Sequence, residues 1–162
     1  MKKIAIIVSD EFKMSPMVHY LQKILLDSNI QIQNLNATQT VETKSYDSLI
    51  LLTHSADALN IEPLINGFYS ESKPIVGFRD SAKVIARVLK KQNPVIAISP
   101  DDSDKSALKK MGIDTEDCPS DDFITDRYTK IISSSYSLSD SEFDQLSKTG
   151  LIRLCKELVE MC

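Results

Sequence analysis

Glycine is nearly missing from this sequence. Only four occur in 162 residues, at Gly67, Gly77, Gly112 and Gly150. Loops that cradle phosphates need clustered glycines, so neither a P-loop nor a G-x-G-x-x-G fingerprint is present. Tryptophan is absent, and cysteine occurs three times, as Cys118, Cys155 and Cys162. No two of these form a C-x-x-C pair, and an odd count at such spacings makes no disulfide framework. No apolar run approaches the length of a membrane span. The first, Ile4 to Val8, follows directly on Met1-Lys2-Lys3 and is too short for the apolar core of a signal peptide. These absences lead us to expect a protein of a reducing, cytoplasmic compartment with no membrane partner.

What is present is ordinary for a folded chain. Hydrophobic residues make up 42% and charged residues 26%, and the length suits one domain, 1–162, with one core. The formal net charge is −4, which argues against a dedicated nucleic-acid binder with its basic face. Ile4 to Val8 reads as a buried parallel strand, and Ser15-Pro16 as an N-cap followed by proline at the first helical position. Met17, Leu21, Ile24 and Leu25 then predict a helix over 16–28. Further strands are expected at 30–33, 48–53, 74–78 and 94–98. Helices are expected at 60–71, 81–91 and 103–111, with Gly112 as a left-handed cap. Phe123–Asp126 and Lys130–Ser134 flank a polar turn and predict a hairpin. Ser139 and Glu142 form a capping box before the terminal helix, whose stripe is Leu151, Leu154, Cys155 and Leu158.

Buried strands alternating with helices predict an α/β fold: one doubly wound, mostly parallel sheet flanked by helices, flavodoxin-like, with a small hairpin near 123–134. Ligands of such sheets sit beyond the carboxyl ends of the strands. The loops at 9–15, 53–58, 79–82 and 99–103 therefore matter most.

Lys73-Pro74-Ile75-Val76-Gly77-Phe78-Arg79-Asp80-Ser81-Ala82 passes from strand to helix with no spacer. So abrupt a turn lifts one side chain toward the helix N-terminus, where hydrolases and amidotransferases hold their nucleophile. Asp80 is expected in that place. On helix-cap preference the favoured reading is that Asp80 or Ser81 simply caps the helix.

Two segments resemble the enhancing lycopene biosynthesis proteins, a branch of the PfpI-like class I amidotransferase superfamily. The first is the Lys73–Asp80 stretch, similar to a K-P-I/L-G-F-x-C segment that carries the family's elbow cysteine. The second comprises Met111-Gly112, Cys118-Pro119-Ser120-Asp121-Asp122, Lys130-Ile131 and Ser135-Tyr136. It is similar to the family's M-G, C-P-x-D-D, K-I/V and A-Y series at matching spacing. The resemblance implies a class I amidotransferase-like fold, a homodimer, and deglycase or glyoxalase-like chemistry on small aldehydes. The chain departs from the family in three places. Asp80 replaces the cysteine, Pro16 or a neighbour stands where the family has a glutamate, and Thr53-His54-Ser55-Ala56 replaces a P-G-G-F-G loop. Each departure removes a catalytic part, so the resemblance implies a degenerate member that keeps a small-molecule pocket or an assembly role.

The alternative is a hydrolase or glyoxalase- or deglycase-like enzyme on a small carbonyl, ester or amide, using Asp80 with His54 or a nearby serine. Asp10, Glu11, Ser55, Arg79 and Ser81 would then line a polar pocket, with Arg79 suited to an anion. His54 is otherwise an exposed loop residue, and His19 reads as structural. The acidic runs Asp101-Asp102-Asp104 and Asp121-Asp122 lack calcium-loop spacing, so no metal and no cofactor are expected. Cys118 sits among acidic neighbours that raise a thiol pKa, and reads as structural.

Overall fold

A computed structural model of the chain describes residues 1–36, 40–53, 61–138 and 143–162. Among the described residues eight strands and five α-helices follow in order: β1 Lys3–Val8, α1 Pro16–Asp27, β2 Gln31–Leu35, β3 Ser48–Leu52, α2 Ile61–Ser70, β4 Ile75–Phe78, α3 Asp80–Val88, β5 Val95–Ile98, α4 Lys105–Lys110, β6 Asp114–Asp117, β7 Ile124–Asp126, β8 Ile131–Ser134 and α5 Gln145–Met161. The main sheet has the order β2-β1-β3-β4-β8-β7. All its pairings are parallel except the β7–β8 hairpin. This is the doubly wound α/β class that the strand–helix alternation predicts.

Side chains alternate across the sheet and divide the core in two. Ile4, Ile6, Ile50, Leu52, Val76 and Phe78 face one side, beneath α1 and α5. Ala5, Ile7, Leu49, Leu51, Ile75 and Ile131 face the other, beneath α2 and α3. Both faces are covered, which explains why β1, β3 and β4 read as unbroken apolar runs rather than alternating ones.

Two details differ from expectation. The fifth strand, β5, lies outside the main sheet and pairs in parallel with β6 in a second, two-stranded sheet. Side chains tie it to the hairpin instead. Ala97 N–H donates to Ser133 Oγ at 2.8 Å, and Val95 N–H to Asp126 Oδ2 at 2.9 Å. The buried Asp126 carboxylate also accepts from Thr129 Oγ1 and from Tyr128 N–H. Strand β6, Asp-Thr-Glu-Asp, was not foreseen. It is largely exposed and carries the charges typical of a protected edge, so no hydrophobic pattern betrays it.

The terminal helix begins at Gln145, where the Asp144 side chain accepts from Ser147 N–H at 2.8 Å. The expected capping box at Ser139 and Glu142 lies outside the described residues. Gly112 has φ +87, as its cap role requires.

Candidate functional site

Strand β4 ends at Phe78 and α3 begins at Asp80, so one residue makes the whole turn. That residue, Arg79, has φ 50 and ψ −102, outside every region that L residues normally populate. Its N–H donates to Ser134 O on β8 at 2.7 Å. Ser81 closes the turn from the other side: its Oγ accepts from Phe78 N–H at 2.7 Å and donates to Phe78 O at 3.1 Å. Gly77 lets the helix approach. A Cβ there would stand 2.7 Å from both the Cα and the N of Ala82, closer than backbone tolerates.

This is the geometry of a nucleophile elbow, a strained residue at a strand-to-helix turn with a glycine two positions before it. The strained position is Arg79, however, not Asp80. The discrepancy lies in the register. Counted from the glycine, the K-P-I/L-G-F-x-C segment puts its cysteine at Asp80. Counted from Lys73-Pro74, it puts the cysteine at Arg79 and needs no extra residue. The Lys-Pro pair was the better anchor. Asp80 occupies the first position of α3, with its side chain 57% exposed.

Behind the elbow stands an ionic cluster that sequence reasoning missed. Lys83 on α3 is buried, and its Nζ donates to Asp102 at 2.7 Å and to Asp104 at 3.0 Å, with Asp80 at 3.9 Å. Burial works against the charged amine, but the hydrogen bonds and charges of Asp102 and Asp104 outweigh it and hold the Lys83 pKa above the ordinary lysine value. Burial likewise penalises the Asp102 carboxylate. The Lys83 hydrogen bond and the Asp104 N–H outweigh it, so Asp102 lies below the usual carboxylate range. Asp101 is held low by the hydrogen bond from Ser99 and by its own backbone, with a contribution from the positive charge of Arg79. Asp102 and Asp104 of the acidic run thus staple the turn before α4 to α3.

The space over the elbow is small. Phe12, Phe78 and Leu138 close in on Arg79 and leave a cavity of about 20 Å³, room for roughly one water. A much larger cleft, of about 730 Å³, opens at the carboxyl ends of β1, β2 and β3. Asp10 lines it, exposed and paired with Lys13 at 2.6 Å. That hydrogen bond and charge hold the Asp10 carboxyl below its ordinary pKa. Glu11 is exposed on the same turn.

Of the expected site residues, the structure brings Arg79, Asp80 and Ser81 together at the elbow and puts Asp10 in the neighbouring cleft. His54 and Ser55 lie outside the described residues. The Ser81 hydroxyl is committed to the turn itself. His19 is exposed, and its Nε2 lies 2.9 Å from Lys13 O.

Burial raises the pKa of all three thiols, Cys118, Cys155 and Cys162. Burial, then the charges of Asp122, Asp121 and Glu116, push Cys118 up to about 11. Burial alone pushes Cys155 up to about 12. The Cys118–Asp122 loop instead docks on α5. Its Asp121 carbonyl lies against Gly150, where a Cβ would meet it at 2.1 Å, and Asp122 pairs with Arg153 at 2.6 Å.

No family model and no curated protein matches this sequence. Solved structures do match in fold. An isoprenoid biosynthesis protein with an amidotransferase-like domain from Ehrlichia chaffeensis superposes with a TM-score of 0.80 at 14% identity, with 99% of each chain covered. The 24 kDa rapid encystment protein of Francisella tularensis gives 0.70 at 13% identity, again over 99% of each chain. DJ-1beta of Drosophila melanogaster gives 0.58 at 14% identity over 98% of each. The chain therefore has the flavodoxin-like fold of the DJ-1 and class I amidotransferase-like proteins.

Proposed function

We propose that this protein is a non-catalytic, ligand-binding form of the amidotransferase-like fold. The observation that carries the reading is the elbow itself. Its backbone strain is retained, yet the strained residue is Arg79, whose guanidinium cannot attack a carbonyl. Closure of the space above it by Phe12, Phe78 and Leu138 supports the same reading. So does the protonated state of Cys118, the thiol nearest the elbow in sequence. Asp80 gains no support as a substitute nucleophile or base, because its carboxylate is exposed and faces Lys83.

The test is intact-mass spectrometry after incubation with p-nitrophenyl acetate. No acyl adduct is expected on residues 78–82. A stoichiometric adduct on Asp80 or Ser81 would overturn the reading in favour of an enzyme of altered chemistry. An assembly role, as a homodimer, is compatible with ligand binding. Sedimentation as a single species of one chain's mass at micromolar concentration would remove it.

A further inference from the structure

The cleft at the carboxyl ends of β1, β2 and β3 has the place, size and lining of a ligand site. In a sheet ordered β2-β1-β3 the connections after β1 and β3 leave on opposite faces, and the crevice they open is where flavodoxin-like folds hold ligands. At about 730 Å³ it lies within the range of small-molecule sites, roughly 300–1,000 Å³. It is separate from the elbow pocket, although Thr53 touches both.

The lining has an apolar floor and a polar rim. Val8, Val18, Leu35 and Ile61 supply aliphatic surface. Gln22 on α1 donates through Nε2 to Asn34 Oδ1 at 3.2 Å. That bond uses one donor of Gln22 and one acceptor of Asn34. It leaves Gln22 Oε1 as an acceptor and the Asn34 NH₂ as a donor, the two group types that an amide edge complements. His19 must donate from Nε2 to the Lys13 carbonyl, which leaves Nδ1 as an acceptor in the neutral ring. Asp10 can accept from vicinal hydroxyls.

Charge narrows the choice. Lys13 is the one cation among the described lining residues, and Asp10 already neutralises it. Among the described lining residues there is no glycine and no close-packed loop of N–H groups for a phosphate. The described lining suits a flat, largely apolar body with an amide edge and hydroxyls better than it suits a phosphate.

We propose that this cleft binds an unphosphorylated nucleoside-like molecule, with its base on the aliphatic floor, the base edge at Gln22 and Asn34, and sugar hydroxyls at Asp10. The proposal rests on the reading of the protein as a ligand binder and specifies where and what it binds. The test is isothermal titration of the full chain with adenosine, uridine and their 5′-monophosphates. At least one nucleoside should bind, and its monophosphate at least tenfold more weakly. Gln22→Ala and Asn34→Ala, both at solvent-accessible positions, should each weaken that binding about tenfold, the effect of one lost hydrogen bond. Equal affinity for nucleoside and monophosphate, or no binding of any of the four, would overturn the proposal. Affinity lost in Arg79→Ala but kept in Gln22→Ala would also overturn it. That last result would move the ligand to the elbow and leave the ligand-binding reading standing.

Discussion

Replacing Arg79 by glycine should leave the protein more stable than replacing it by alanine. The backbone at this position, φ 50 and ψ −102, is strained for any residue with a Cβ, at a cost of roughly 1–3 kcal/mol. Glycine reaches the same angles freely, because their mirror image is an ordinary extended conformation. Against this, glycine carries roughly 0.4–1 kcal/mol more unfolded-state entropy than alanine. Both variants lose the guanidinium, so its pull on Asp101 and Asp102 cancels in the comparison. The difference left is about 1 kcal/mol in favour of glycine. In guanidinium denaturation that is a shift of a few tenths of a molar in the midpoint, at unchanged slope. At an unstrained residue the sign would be the opposite. An alanine variant as stable as the glycine variant, or more stable, would refute the retained elbow.

Two further expectations concern charge and thiols. Lys83→Met should cost about 2 kcal/mol at neutral pH. That is less than the roughly 3–5 kcal/mol for a fully buried pair, because Asp104 is half exposed and water screens it. The raised Lys83 pKa contributes stability that is present below the ordinary lysine value and lost as pH rises through the folded value. The lowered Asp102 pKa contributes stability that is present above the ordinary carboxylate value and lost as pH falls through the folded value. The gap between wild type and variant in urea titrations should therefore shrink toward both acid and alkali, and a gap independent of pH would contradict the staple. Cys118 and Cys155 should resist iodoacetamide in the native protein at pH 8, since their thiols sit near 11 and 12. Peptide mapping that finds either one rapidly alkylated would contradict that assignment.

The parts of the fold legible in the sequence are those that hydrophobic burial alone decides. Ile4–Ile7 and Leu49–Leu52 are fully apolar because helices cover both faces of the sheet, and that pattern needs no partner information. Strand β6 escaped because an edge strand is specified by its backbone partner, β5, and its side chains are free to be polar. The place of β5 escaped for a related reason: Ser133 and Asp126, distant in sequence, provide the acceptors that hold it. At the site, the presence of an elbow was legible from the abrupt strand-to-helix passage, but the residue at its apex was not. Apex position depends on which backbone torsion turns over, and Gly77 and Lys73-Pro74 point one residue apart. The segment from Met111 to Tyr136 includes a packing surface: its Cys118–Asp122 loop seats on Gly150 and Arg153 of α5. The cleft residues Ser9, Lys13, Gln22 and Asn34 form no motif along the chain. Only the parallel pairing of β1 with β2, under α1, brings them together.

If the elbow persists while its chemistry is gone, the chain turns over no small aldehyde. Consumption of methylglyoxal by the wild-type chain, followed by NMR at high protein concentration, should not exceed that in buffer. It should stay there after alkylation of accessible cysteines. Multiple turnovers above buffer that survive alkylation and vanish in Asp80→Asn would mean that the elbow is still catalytic.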